Sequence, residues 1–197
     1  IMCGIAGLIH RGKSSNVGEE LQSMLQALKH RGPDSTGYAL YANNDGQNFI
    51  LRFKVGENVG EGSTSVNEDE SVYNERKKIV DKKLSDLGAL VVKEEKLTPY
   101  SYRYEIKYDK DLMEFSKAIE SIHSVEILSI GKSLELIKDL GDAKAVSERY
   151  GLNKVQGTHG IGHARMATES GVDIKSAHPF WGYPFADVSV VHNGQLT

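Results

Sequence analysis

The opening of the chain constrains the fold most. Cys3-Gly4-Ile5-Ala6-Gly7-Leu8-Ile9 interleaves apolar side chains with glycine and alanine, a pattern that suits a short buried strand packed closely against a neighbour. A helix is expected next. Leu21, Met24, Leu25 and Leu28 fall at helical spacing between residues 18 and 28, and Gly32-Pro33-Asp34 then stops the run. Residues 37–41 and 49–53 read as two strands. Asn43-Asn44-Asp45-Gly46 lies between them, and its Asp-Gly is a turn signal that predicts a hairpin.

From 66 to 122 the texture changes to dense charge with almost no glycine, which predicts an insertion. Its order is a charged helix over 70–87, a strand at 89–92, an alternating strand over 102–108 and a helix over 112–122. With the apolar run 125–128 behind it, this makes a small α/β plait. Short helices are expected over 133–140 and 143–150, and from Gly157 onward glycine and histidine concentrate. A length of 197 residues, 39% of them hydrophobic, can bury one core, or one core with an insertion.

The formal net charge of -3 gives no general attraction to nucleic acid or anionic membranes. No apolar run approaches the roughly 18 residues of a membrane span, and the first residues lack a secretory signal pattern, so a cytoplasmic protein is expected. With Cys3 the single cysteine, an internal disulfide and a zinc site built from several thiolates are both excluded.

Four segments set polar residues in glycine-rich or strand-end settings: Cys3-Gly4-Ile5; His30-Arg31-Gly32-Pro33-Asp34-Ser35; Gly162-His163-Ala164-Arg165-Met166-Ala167-Thr168; and His192-Asn193-Gly194. His178-Pro179-Phe180 stands between the last two. Together and in this order they resemble the class II glutamine amidotransferases of the amino-terminal nucleophile hydrolase superfamily. The resemblance covers the segments before about Phe53 and after about Val155. Within that family, Gly162 to Ser170, Ala177 to Phe180 and Val191 to Leu196 look most like the glutaminase subunits of archaeal-type glutamate synthase.

The resemblance implies an α+β fold, a four-layer α/β/β/α sandwich with the plait-like insertion. Residues 3–65 and 123–197 would form the glutaminase domain and 66–122 the inserted subdomain. It implies L-glutamine as substrate, ammonia handed to a synthase subunit or domain, and no cofactor or metal. Cys3 is the implied nucleophile, with Asn193 and Gly194 as oxyanion donors and Arg165 as the grip on the glutamine α-carboxylate. Thr168 and His178 resemble the rest of that shell, and Arg31 a residue that orders the pocket.

The chemistry is self-consistent. A thiol with a pKa of about 8.5 is only a few per cent ionised at neutral pH, whereas an α-amine near 7.7 to 8.0 is tethered to that thiol and can take its proton. A tetrahedral oxyanion needs donors fixed in advance, which an asparagine side-chain N–H and a glycine backbone N–H supply. A guanidinium binds a carboxylate through two parallel hydrogen bonds.

Plainer readings compete. Alone, Arg165 reads as a surface arginine and Asn193-Gly194 as a hairpin turn. His159 and His163 stand four apart like a metal pair, but Gly160 and Gly162 argue against the helix that would align them. His30 and His192 read as structural histidines. Gly131-Lys132-Ser133 resembles the tail of a phosphate loop, yet Glu126 occupies the leading-glycine position, so a strand-to-helix turn is expected.

Two departures matter. Ile1 and Met2 precede Cys3, and a peptide bond on its nitrogen removes the basic amine, so the active form is expected to begin at Cys3. The sequence given stops at Thr197, before the aspartate that in the family binds the glutamine α-amino group, so this chain alone is expected to bind glutamine poorly. The rival readings are the glutaminase domain of an amidophosphoribosyltransferase, a non-catalytic glutamine-binding or regulatory protein with Cys3 blocked, and an amidase for another amide.

Overall fold

The computed structural model describes residues 3–28, 35–57, 68–165 and 174–193. Its elements run β1 (Gly4–Ile9), α1 (Val17–Ala27), β2 (Ser35–Ala42), β3 (Phe49–Lys54), α2 (Glu70–Leu87), β4 (Leu90–Thr98), β5 (Ser101–Lys107), α3 (Leu112–Glu120), β6 (Glu126–Gly131), β7 (Leu134–Leu140), α4 (Ala143–Tyr150), β8 (Gly157–Arg165), β9 (Phe180–Trp181) and β10 (Ser189–Val190). Two antiparallel four-stranded sheets, ordered β1-β8-β2-β7 and β4-β5-β3-β6, account for all but the β9–β10 pair. The chain is an α+β protein.

The helices start and stop on local chemistry. The Asp69, Asp111 and Asp142 side chains accept from backbone N–H groups in the first turns of α2, α3 and α4, and Gly88 and Gly151 close α2 and α4 in left-handed conformation. Helix α1 buries Val17, Leu21 and Leu25 against β8. A Cβ at Gly162 would lie 2.6 Å from Leu25, so glycine there is what allows the helix to come so close.

Each sheet has its own apolar cluster. Tyr38, Leu40, Leu134 and Leu136 of the first sheet pack with Leu21 and Leu25 of α1 and Val146 of α4. In the second, Phe53, Tyr102, Tyr104 and Ile106 pack with Val80 and Leu84 of α2 and Phe115 of α3. Charged residues span the sheets between these clusters. Arg52 on β3 and Arg103 on β5 both bind Glu135 on β7, with Arg52 Nε at 2.9 Å and Arg103 Nη2 at 2.8 Å. Lys54 Nζ donates to the Lys138 carbonyl, and the Tyr100 and Tyr150 hydroxyls each donate to the Asp139 carboxylate at 2.6 Å.

Three expectations are corrected. β2 and β3 do not form a hairpin: β2 pairs with β7 and β8, β3 with β5 and β6. The turn is real, since Gly46 has φ +71 and the Gln47 N–H bonds to Asp45, but the chain crosses there between sheets. Both strands are buried on both faces, and a half-exposed hairpin would waste that. Residues 134–140 form strand β7, not a helix, because Glu135, Lys138 and Asp139, which look like a solvent-facing stripe, are buried and partnered. The turn before it is therefore strand-to-strand. Finally, β1 is an edge strand buried on the α1 side only, with Ile5 and Ile9 exposed on the other.

The 66–122 stretch has the expected order of helix, strand, strand and helix. Its strands β4 and β5 extend a sheet whose other members, β3 and β6, lie outside it.

Candidate functional site

Register assembles the site. β1 pairs with β8 so that Gly4 opposes Ala164 and Ile5 opposes His163; β2 pairs with β8 so that Ser35 opposes Arg165 and Gly37 opposes His163. Directly opposed residues of antiparallel strands share a face. Cys3 immediately precedes β1, and continuing that register by one residue sets it across from Arg165. The end of the first sheet thus brings Cys3, Arg165 and Ser35 side by side.

Side chains identify that face. Tyr41 stacks on His159 with ring centroids 3.9 Å apart, and its hydroxyl bonds Ser189, so this face lies under the segment leading to β10. On the opposite face, the Thr36 and Tyr38 hydroxyls donate to the Gly141 and Ala143 carbonyls at the start of α4. Gly37 belongs to the first set. Its missing side chain is required there, since a Cβ would fall 1.9 Å from the His178 carbonyl oxygen.

The covering segment delivers the remaining groups. His178 lies 5.0 Å from His163 and 6.4 Å from His192, between ring centroids. The Asn193 side-chain N–H donates to the Cys3 carbonyl at 3.1 Å, which holds the asparagine beside the half-buried, free thiol residue. Arg165 Nη1 donates to Ser176 Oγ at 3.0 Å. Burial, then the neighbouring His178 and Arg165, depress His163 to about 4. Burial, then His192, Lys138 and Arg165, also lower His178. Near pH 7 His163 is a neutral imidazole that can donate and accept without competing with Arg165 for an anion.

Of the residues singled out from the sequence, Cys3, Arg165, His178 and Asn193 gather at this one end, while Arg31, Thr168 and Gly194 lie outside the described residues. His159 and His163 sit four positions apart on a strand, about 13 Å, too far to share an ion. The backbone N–H groups of Lys132, Ser133 and Leu134, which a phosphate would require, all donate to Asp187, at 3.0, 2.7 and 2.8 Å.

Sequence reasoning missed four supporting groups. Ser176 accepts from Arg165, and Asp187 ties the β9–β10 segment to the β6–β7 turn. Lys138 grips the segment bearing His178 through the Lys175 carbonyl and the Phe180 ring. Ser35 ends the 30–35 segment, opens β2 and opposes Arg165. None carries a pattern of its own; only contacts made in the folded chain reveal them. Among the described residues, no helix is long and apolar enough to cross a membrane.

No family model matches the chain. It is 36% identical over 201 residues to a Methanothermobacter thermautotrophicus protein bearing the name glutamine amidotransferase, an alignment that takes in 100% of this chain and 62% of that protein. It is 31% identical over 202 residues to the glutamine amidotransferase-like protein GlxB of Rhizobium meliloti, across 100% of this chain and 60% of that one. A shorter match, 35% over 71 residues, covers 36% of this chain and 12% of a glutamine–fructose-6-phosphate aminotransferase of Pyrobaculum aerophilum. The chain spans about three fifths of the length of the first two relatives. These similarities support a glutamine amidotransferase-like family for the chain.

Proposed function

We propose that the chain is the glutaminase portion of a class II amidotransferase of the amino-terminal nucleophile type. The observation that carries the reading is the gathering of Cys3, Arg165, His178 and Asn193 on the face of the first sheet opposite α1. The packing of α1 and α4 on one sheet and of α2 and α3 on the other supports the α/β/β/α sandwich. In it, 3–65 and 123–197 form the glutaminase body and 66–122 elaborates the second sheet.

Cys3 Sγ attacks the side-chain carbonyl carbon of glutamine, and the thiol proton passes to the free α-amine of Cys3. Asn193 and Gly194 donate to the oxyanion. The amine returns the proton to the leaving nitrogen, the C–N bond breaks, ammonia departs and a thioester remains. Water, deprotonated by the same amine, attacks the thioester through a second oxyanion; glutamate leaves and the thiol is regenerated. Arg165 holds the α-carboxylate, Thr168 and His178 complete that shell, and Arg31 orders the pocket beside Cys3. The ammonia passes to a synthase partner of glutamate-synthase type in the cytoplasm.

Glutamine hydrolysis by the full-length protein tests this. Cys3→Ala should abolish ammonia release. Arg165→Ala should weaken glutamine binding by about 30-fold or more, the loss of roughly 2 kcal/mol or above expected for truncating one partner of a hydrogen-bonded charge pair. Unchanged glutamine affinity in Arg165→Ala would overturn the pocket.

A further inference from the structure

Ser35 opens β2 and is 1% exposed, and its hydroxyl has no hydrogen-bond partner among the described residues. It directly opposes Arg165 in the β2–β8 pairing, and so shares its face. Alternation along β2 agrees: Gly37 and Tyr41, on the same side as Ser35, meet His178 and Ser189, whereas Thr36, one position on, turns away and donates to the Gly141 carbonyl. The hydroxyl is thus aimed at the end of the sheet where Cys3 and Arg165 stand. A buried hydroxyl left without a partner is destabilising, and a group kept in that state beside an arginine has a polar ligand as its natural complement.

We propose that Ser35 is a substrate-contacting residue whose hydroxyl donates a hydrogen bond to the carboxylate held by Arg165. A carboxylate offers about four lone-pair sites. A guanidinium fork uses two, which leaves an oxygen free to accept from a hydroxyl on the neighbouring strand. The two residues together select amides that also bear a carboxylate over amides that lack one. This assignment rests on the glutaminase reading and adds a determinant of specificity to it.

Ser147 supplies the control. It is also buried with a hydroxyl unpartnered among the described residues, but it lies on α4, which packs on the other face of the sheet. Both Ser35→Ala and Ser147→Ala should melt no lower than the parent, since each removes an unsatisfied group. In steady-state glutamine hydrolysis by the full-length protein, Ser35→Ala should raise KM by about tenfold or more, the effect of losing a hydrogen bond to a charged group. Ser147→Ala should leave KM within twofold. Added to Arg165→Ala, which no longer holds the carboxylate, Ser35→Ala should change kcat/KM less than twofold further.

A KM for Ser35→Ala within twofold of the parent would overturn the assignment, as would a lowered melting temperature with kcat and KM both degraded, or full additivity with Arg165→Ala. Failure of the underlying reading would look different: the parent protein would not hydrolyse glutamine, or Cys3→Ala would hydrolyse it equally well.

Discussion

The seam between the sheets and the end of the first sheet both bury polar groups, but they treat them in opposite ways. In the seam, Glu135 carries two arginines and Asp139 two tyrosines, and Arg52 keeps only Nη1 without a partner while its other nitrogens reach Glu135. At the sheet end stand a free thiol, the neutral His163 and a buried hydroxyl with no partner among the described residues. Polar groups that the protein satisfies by itself hold the fold. In the proposed reading, the hydroxyl left unsatisfied beside Cys3 and Arg165 is there for a ligand.

If the seam is purely structural, breaking it should cost stability far more than it costs glutamine recognition. Glu135→Gln removes the counter-charge of the buried Arg52 and leaves Arg103 with Glu95 alone, and should destabilise by on the order of 3 to 5 kcal/mol in denaturant unfolding. Tyr150→Phe removes one hydrogen bond to the Asp139 carboxylate and should cost about 1.5 to 3 kcal/mol.

Acid titration separates the two regions further. His163 has a folded pKa below its ordinary 6.5, so the unfolded chain binds the extra proton first and stability falls as pH drops from 6.5 toward about 4. Burial alone would raise Glu135, but Arg52 and Arg103 pull it from 4.5 down to about 2, so its contribution is complete above 4.5 and is lost between 4.5 and 2. Melting temperature against pH should therefore fall in two stages. His163→Asn should shrink the upper stage, to which His178 and His159 also contribute, and Glu135→Gln the lower; a single stage untouched by either variant would contradict the division.

How much of this was legible in the sequence follows the same division. Helices α1, α2, α3 and α4 announce themselves through periodicity, and α2 and α4 stop at Gly88 and Gly151, which adopt left-handed conformation. Cys3, Arg165 and Asn193 stood out as candidates because they sit in glycine-rich motifs, and His178 because it lies between two of them. Strand β7 was not, because Glu135, Lys138 and Asp139 look like a solvated helix face until Arg52, Arg103 and Tyr100 are brought to them from strands far away in sequence. The crossing between β2 and β3 was hidden for a related reason: a turn signal fixes a turn, and which sheet receives the next strand depends on partners that a local window does not contain. Ser35 and Ser176 did not stand out in the sequence because what distinguishes them is standing next to Arg165.

The central claim is that Cys3 attacks glutamine with its own amine as base, and the position of the amino terminus tests it most directly. Two full-length forms would be compared, one beginning at Cys3 and one retaining Ile1 and Met2, each verified by intact mass and assayed for ammonia release from L-glutamine. The account predicts turnover from the form beginning at Cys3 and loss of at least about 100-fold when the amine is blocked, the scale of general-base catalysis. Equal rates from the two forms would contradict it.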